Sequence, residues 1–239
     1  YVLEGVYSAT GVKRLLVIDG QQRLTSLMLL LFSLSKAIEN KNNGTKITKN
    51  KIHNNYLFNS EEQDQDDRRK VVLTEPDKET LNSILESNPQ PVIHSKKILD
   101  NLKFFDDSIN QPNIDLDTLY KGICKLKIVD ISLSRPEDNP QLIFESLNST
   151  GLELSAADLI RNFLLMGLEN DEQEHLYKKF WYPMEQSVTS DKTDDFDRFM
   201  KDFLTVKQTD IPIEKEVYQK YKEYFFEEEK ANSVYVEEL

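Results

Sequence analysis

The sequence predicts an α+β fold that is mostly helical: a small mixed α/β unit near the N-terminus, helices inserted in it, and a helical bundle after it. Three observations predict this. Two strand-like runs sit at residues 1–9 and 12–18. A long stretch of helical periodicity follows them directly, with Leu24, Leu27, Met28, Leu31, Leu34 and Ile38 on one face. From residue 171 onward the pattern stays helical to the end.

The elements follow in order. Ser8-Ala9-Thr10-Gly11 is a hairpin turn, with Gly11 available for positive φ. Leu15-Leu16-Val17-Ile18 is a continuous apolar run, the pattern of a strand buried on both faces. The first helix is expected over 21–38. Residues 40–55, rich in Asn, Lys and Gly, read as a loop, and 61–67 as an acidic loop. A short strand is expected over 69–74, and a helix capped by Asp77 runs to 86, where Pro89 and Pro91 stop it. Another helix covers 95–109, with Ile98, Leu102, Phe105 and Ile109 inward. Residues 125–133 alternate as a strand. Pro140 fits the first turn of a helix through 147. Ser155 caps the next helix, with Asp158 as a capping-box partner three residues on. Helices over 172–185, 194–204 and 215–229 complete the chain. The expected domains are 1–165, with a helical insertion at about 75–110, and a helical domain at 166–239.

Composition narrows the function classes. The 239 residues are 38% hydrophobic and 30% charged, which suits a modest core divided between segments. No apolar run approaches the roughly 20 residues that span a bilayer, so no membrane partner is expected. Cys124 is the only cysteine, so no internal disulfide can form, which fits a cytoplasmic location. Its strand-like surroundings suggest a small buried hydrophobe rather than a nucleophile. The net charge of −12 is uneven. Residues 1–120 carry 15 basic against 17 acidic side chains, and 121–239 carry 15 against 25. Nucleic-acid binders draw affinity from a basic excess, which the second half lacks. The lysines between Lys36 and Lys51 read as a solvated loop, with a phosphate-contacting arm as the alternative. His53, His94 and His175 stand apart and have no metal-ligand spacing.

The candidate site lies at Asp19-Gly20-Gln21-Gln22-Arg23, where a strand meets a helix. The first amides of a helix point outward, and the helix dipole favours anions there. Gly20 lets the backbone bend and a ligand approach. Arg23 adds a fork of donors suited to phosphate, although a cation in the first turn opposes the dipole. Asp19 can cap the helix, hold Arg23 or bind a magnesium ion. Gln21 and Gln22 offer amides, and Thr25 a hydroxyl. A capped helix with an Arg–Asp pair at its start is the structural alternative, and spacing leaves both open. There is no Walker A pattern.

The string Val17-Ile18-Asp19-Gly20-Gln21-Gln22-Arg23-Leu24-Thr25-Ser26-Leu27 resembles the signature of the GmrSD-type restriction endonuclease N-terminal domain family. A second string, from Ile143-Phe144-Glu145-Ser146-Leu147-Asn148 through Gly151-Leu152 to Asp158-Leu159-Ile160-Arg161, resembles that family's other signature, about 120 residues on. Taken by its residues, the second string is a helix end, a Gly151 turn and a capped helix. Asn148 can bond a base, sugar or phosphate, and Arg161 can reach a phosphate. Asn148 and Gly151 can equally serve only to shape the turn. Residues 199–204, Val217, Tyr218 and Tyr221 resemble the family's later helical region.

The resemblance implies a ParB/sulfiredoxin-like unit that binds nucleoside triphosphate with Mg2+ and hydrolyses it. It implies a phage-defence role, gating a nuclease domain or subunit elsewhere and touching DNA only indirectly. Carried over, the catalytic residues are Asp19, Gln22 and Arg23. The nucleotide contacts are Gly20, Gln21, Gln22, Arg23, Thr25, Asn148, Gly151 and Arg161, and the metal ligand is Asp19. The sequence starts after the place of the family's upstream Gln-Arg-x-Tyr-x-Trp type of segment, so nucleotide binding or turnover is expected to be weakened if that segment completes the pocket; with no His-x-x-Pro nuclease element, the chain is not expected to cut DNA. The alternative is a non-catalytic interaction or DNA-binding module of the same system.

Overall fold

The structure, a computed structural model, describes residues 2–7, 11–41, 44–74, 77–133, 140–148, 154–166, 168, 170–188, 195–228, 234 and 236. It is mostly helical and divides into two compact units, residues 1–135 and 136–239.

The first unit opens with strands β1 (Val2–Tyr7) and β2 (Lys13–Val17), paired antiparallel with Val2 opposite Val17. Gly11 between them has φ 86°, the left-handed value expected at the turn; Ser8 to Thr10 lie outside the described residues. A two-residue strand, β3 (Ser132–Leu133), runs parallel to β1, and the sheet order is β2-β1-β3. As an edge strand of so small a sheet, β2 is not buried on both faces: Leu15 is 41% exposed, and burial starts at Ile18, just past the strand.

Helix α1 (Gln21–Asn40) follows. From Met28 onward it is buried almost all round, because α5 (Lys96–Ile109), α2 (Lys49–Ile52) and the π turn His53–Leu57 pack against it. The segment expected as a polar loop therefore holds helix and core. Ile47 and Ile52 are buried there and Leu57 just past it, spaced by five residues and hidden among polar neighbours. The lysines of that stretch are engaged within the fold: Lys36 pairs with Asp106, Lys49 with Glu39, and Lys51 lies over the Tyr120 ring.

The acidic segment forms the single turn α3 (Gln65–Arg68), capped by Asp64. The strand expected over 69–74 is only one bridge, between Phe58 and Arg69. Helix α4 (Asp77–Glu86) and α5 form as expected, with Ser95 capping α5. A further helix, α6 (Leu116–Ile123), carries an apolar side on Leu116, Leu119, Tyr120 and Ile123. Its C-cap is Cys124, which is exposed rather than a buried strand residue. The strand expected over 125–133 shrinks to β3. Leu126, Ile128 and Val129 are 57–78% exposed, and among the described residues no strand pairs with them.

The second unit contains α7 (Pro140–Asn148), α8 (Ala156–Leu165), α9 (Asn170–Leu176), the π turn Tyr177–Trp181, α10 (Tyr182–Val188), α11 (Asp195–Gln208), a 3-10 turn at Glu214–Glu216 and α12 (Val217–Glu228). Its core gathers Ile160 and Leu164 from α8, Trp181, Met200 and Leu204 from α11, and Val217 and Tyr221 from α12. The compact units divide between residues 135 and 136, and within the second unit the apolar face of α8 packs on α11 and α12.

Candidate functional site

The junction of β2 and α1 is built by one glycine. Gly20 is the N-cap of α1, with φ 97° and ψ 7°, a left-handed conformation that non-glycine residues adopt only at a cost. The turn brings Asp19, Gly20, Gln21, Gln22, Arg23 and Thr25 together at the head of a 20-residue helix. Leu24 N–H donates to the Gly20 carbonyl at 2.9 Å, which closes the first turn. No side chain caps the helix. Among the described residues, no acceptor is bonded to the backbone amides of Gln21, Gln22 and Arg23. These are the outward-pointing donors that every helix start leaves over.

The side chains are arranged around those amides. Arg23 Nη2 donates to Asp19 Oδ2 at 2.8 Å, with the two side chains 75% and 37% exposed. Asp19 therefore holds the guanidinium rather than capping the helix. An ion pair so exposed contributes well under about 1 kcal/mol, so a phosphate can take the guanidinium at little cost. Gln21 Nε2 turns back to the Val17 carbonyl at 2.7 Å, which braces the strand end. Gln22 is exposed. The Thr25 hydroxyl donates to the Gln21 carbonyl at 2.9 Å, so its proton is directed into the helix rather than toward a ligand. Gln21, Gln22 and Arg23 are exposed, and a cleft of about 240 Å3 in this unit is lined by other residues, among them Arg69, Asn82, Glu86 and Pro89.

The second group of expected residues lies in the second unit. Asn148 ends α7. Gly151 lies outside the described residues. Arg161 Nη2 pairs with Asp158 Oδ1 at 2.9 Å. The Asp158 N–H donates to Ser155 Oγ at 3.1 Å, as the capping motif requires. The Ala157 N–H donates to Asp197 Oδ1 of α11 at 2.8 Å. The head of α8 thus has its leading amides occupied and acids beside it, the reverse of an anion site.

Sequence reasoning missed the polar group at Glu145. Tyr218 Oη donates to its Oε1, and Lys222 Nζ donates to its Oε2 at 3.0 Å, with Lys222 also 4.8 Å above the Tyr218 ring. The four-residue spacing of Tyr218 and Lys222 on one helix face was the available signal.

Among the described residues, no group of three or more His, Cys, Asp or Glu side chains is placed to hold a metal ion, and no helix is long and apolar enough to cross a membrane. A comparison with curated proteins finds no match. The family model of the GmrSD restriction endonuclease N-terminal domain matches residues 2–165, from β1 through α8 and across both signature strings. The match spans well over half of the sequence, and the chain belongs to that family of restriction-system domains.

Proposed function

We propose that the chain binds the phosphates of a nucleoside triphosphate at the head of α1 and, within a complete restriction system, couples its hydrolysis to control of a nuclease located elsewhere. The observation that carries this reading is the uncapped start of α1: a left-handed Gly20 and three amides without acceptors beside the exposed guanidinium of Arg23. Amides and guanidinium supply directed donors and positive potential, which is what a polyphosphate needs. A strand, tight turn and helix start in this order also support a likeness to the ParB/sulfiredoxin unit.

Mg2+ fits this place to a limited degree. It keeps several waters and takes one or two carboxylates plus substrate phosphates, so a full protein cage is not required. Asp19 would hold it, once Arg23 turns to the phosphates; the ion would neutralise charge on the transferred group. The chain's own residues do the rest. The amides orient the β- and γ-phosphates, Arg23 stabilises charge as it develops, and Gln22 orients the attacking water. Arg161 is held by Asp158 in the second unit and Gly151 lies outside the described residues, so the reading rests on the head of α1 alone.

A second reading is a non-catalytic interaction module. It is favoured by the inward bonds of Gln21, Arg23 and Thr25, which satisfy the motif without a ligand. Calorimetric titration of the chain with ATP and GTP in Mg2+ separates the two. The proposal expects saturable binding that Arg23→Ala weakens at least tenfold. Heat-silent titration of the wild type with either nucleotide, at millimolar concentration, defeats it.

A further inference from the structure

The cleft of about 240 Å3 in the first unit is lined from α3, α4 and the turn that follows α4, and its wall holds a buried cation. The Arg69 side chain is 4% exposed. Its Nη1 donates to the Gln65 carbonyl at 3.0 Å and its Nη2 to Glu86 Oε1, while Nε–H has no acceptor among the described residues. A buried donor left without a partner costs stability, so its presence wants a reason outside folding. The other oxygen of Glu86 is also taken, by Asn88 Nδ2 at 3.1 Å. The end of α4 sets Asn88 there. Ser87 takes a left-handed φ of 58°, its N–H donates to the Ile84 carbonyl at 3.1 Å, and Asn88 N–H donates to the Ser83 carbonyl at 2.8 Å. These are the two bonds of a Schellman ending, with serine in the place that glycine usually fills.

The acceptors at that end of the cleft are therefore spent, and one face of α4 is not. Glu79, Asn82 and Ser83 stand at helical spacing on the lining side, with Gln65 facing them from α3. Among the described residues, none of these four side chains has a hydrogen bond or ion pair. The unspent groups are one cationic donor, one anionic acceptor and neutral groups that serve as either. A phosphate or carboxylate would meet Glu79, Glu86 and the negative end of α4. An ammonium would meet the guanidinium of Arg69. A planar amide, with its carbonyl and N–H side by side, suits both ends of the set. The volume lies below the roughly 300–1,000 Å3 of small-molecule sites and suits one side chain. Beyond the rim, Pro91 leads into Val92 and Ile93, which are 99% and 63% exposed, an apolar ridge on which the neighbours of such a side chain can lie. We propose that the cleft receives a glutamine or asparagine side chain from an extended segment of a protein partner. Its carbonyl faces Arg69, its amide N–H faces Glu79, and its flanking residues rest on Val92 and Ile93. The proposal is independent of the head of α1, which supplies no residue to the cleft.

The test titrates the full chain with N-acetyl-Leu-Gln-Leu methylamide and with its glutamate, lysine and alanine counterparts. Nitrogen-15 NMR reads the Arg69 Nε–H signal and the side-chain amides of Gln65, Asn82 and Asn88. The glutamine peptide should shift Arg69 Nε–H and the Asn82 amide saturably at millimolar concentration. The other three peptides should bind at least about fivefold more weakly, the worth of one neutral hydrogen bond. Glu79→Ala and Asn82→Ala should each weaken the glutamine peptide about fivefold, with urea unfolding of the chain unchanged. No shift at Arg69 with the glutamine peptide overturns the proposal. So does a glutamate, lysine or alanine peptide that binds as tightly, or an affinity that both α4 variants leave intact.

Discussion

Gly20→Ala isolates the geometry on which the site depends. At φ 97° an L-residue with a Cβ atom pays about 1–2 kcal/mol for the left-handed backbone. Space is not the issue: a Cβ at this position would meet Arg23 Nη2 at 3.7 Å and Nε at 3.9 Å, ordinary van der Waals contact. Loss of glycine's freedom in the unfolded chain returns part of this, up to about 1 kcal/mol. The expected net loss is about 1 kcal/mol. Gly20→Asn should lose less, because asparagine tolerates the left-handed region. Gly122→Ala is the control. It lies in the last turn of α6 with nothing within 4 Å of its Cβ, so the same chemical change should stabilise by about 0.5 kcal/mol. Trp181, the sole tryptophan, belongs to the second unit, so its fluorescence does not report this site. Urea unfolding must be followed by exchange of α1 amides. A Gly20→Ala protein as stable as wild type, or an asparagine variant no better than alanine, refutes the reasoning.

Other outcomes follow from the same coordinates. Arg14→Ala removes one charged partner of Asp67, whose side chain is 2% exposed, and should cost about 2 kcal/mol in urea unfolding of the first unit. Arg69→Met should cost about 1 kcal/mol or less: Glu86 and Asp66 are 32% and 40% exposed and can hydrate, and Arg69 Nε already lacks a partner among the described residues. Equal losses in these two variants would contradict the argument. His53, bonded to Ser35 Oγ at 3.1 Å, has its pKa lowered by burial and then by Lys49, with Glu39 opposing. A base with a lowered folded-state pKa adds stability above its unfolded value of about 6.5, and that stability is lost as pH falls below it. Unfolding free energy should therefore fall between pH 7 and 5, and His53→Gln should flatten the slope. Ser155→Ala should destabilise α8 by about 1 kcal/mol, read as faster exchange at Asp158.

Where side chains repeat at helical spacing over many residues, the elements were legible from sequence: α1, α5, α8 and α11 appear within a few residues of their expected ends. Capping chemistry was legible at Ser155, whereas the cap at Ser95 was not. Short apolar runs were not. Leu126, Ile128 and Val129 have strand-like side chains, yet among the described residues no strand pairs with them. The run Leu15 to Ile18 suggested a central strand, but position in the sheet is set by topology that four residues do not encode. Ile47, Ile52 and Leu57 went unnoticed because their polar neighbours masked a buried face wound through a π turn, whose period is not 3.6. At the candidate site, the need for glycine and the Asp19–Arg23 pair were legible because both are local. Asp197, Tyr218 and Lys222 were not, because their partners lie 40 to 77 residues away.

The head of α1 departs from the rule that other helix starts in this chain obey. Asp64, Ser95, Asp115 and Ser155 each accept a backbone amide at the start of α3, α5, α6 and α8. Gly20 supplies no acceptor, the first turn of α1 contains no acid, and Arg23 occupies it in spite of the dipole. A cap contributes about 1 kcal/mol. Burial of Met28, Leu29, Leu31, Phe32, Leu34 and Ile38 contributes about 1.5–3 kcal/mol for each side chain, so α1 is held from its far half and does not depend on its start. The fold thereby leaves the head of the helix unconstrained. In a chain of net charge −12, the head of α1 gathers three donor amides and a guanidinium that the burial of its far half does not require, and this supports the phosphate-binding reading proposed above.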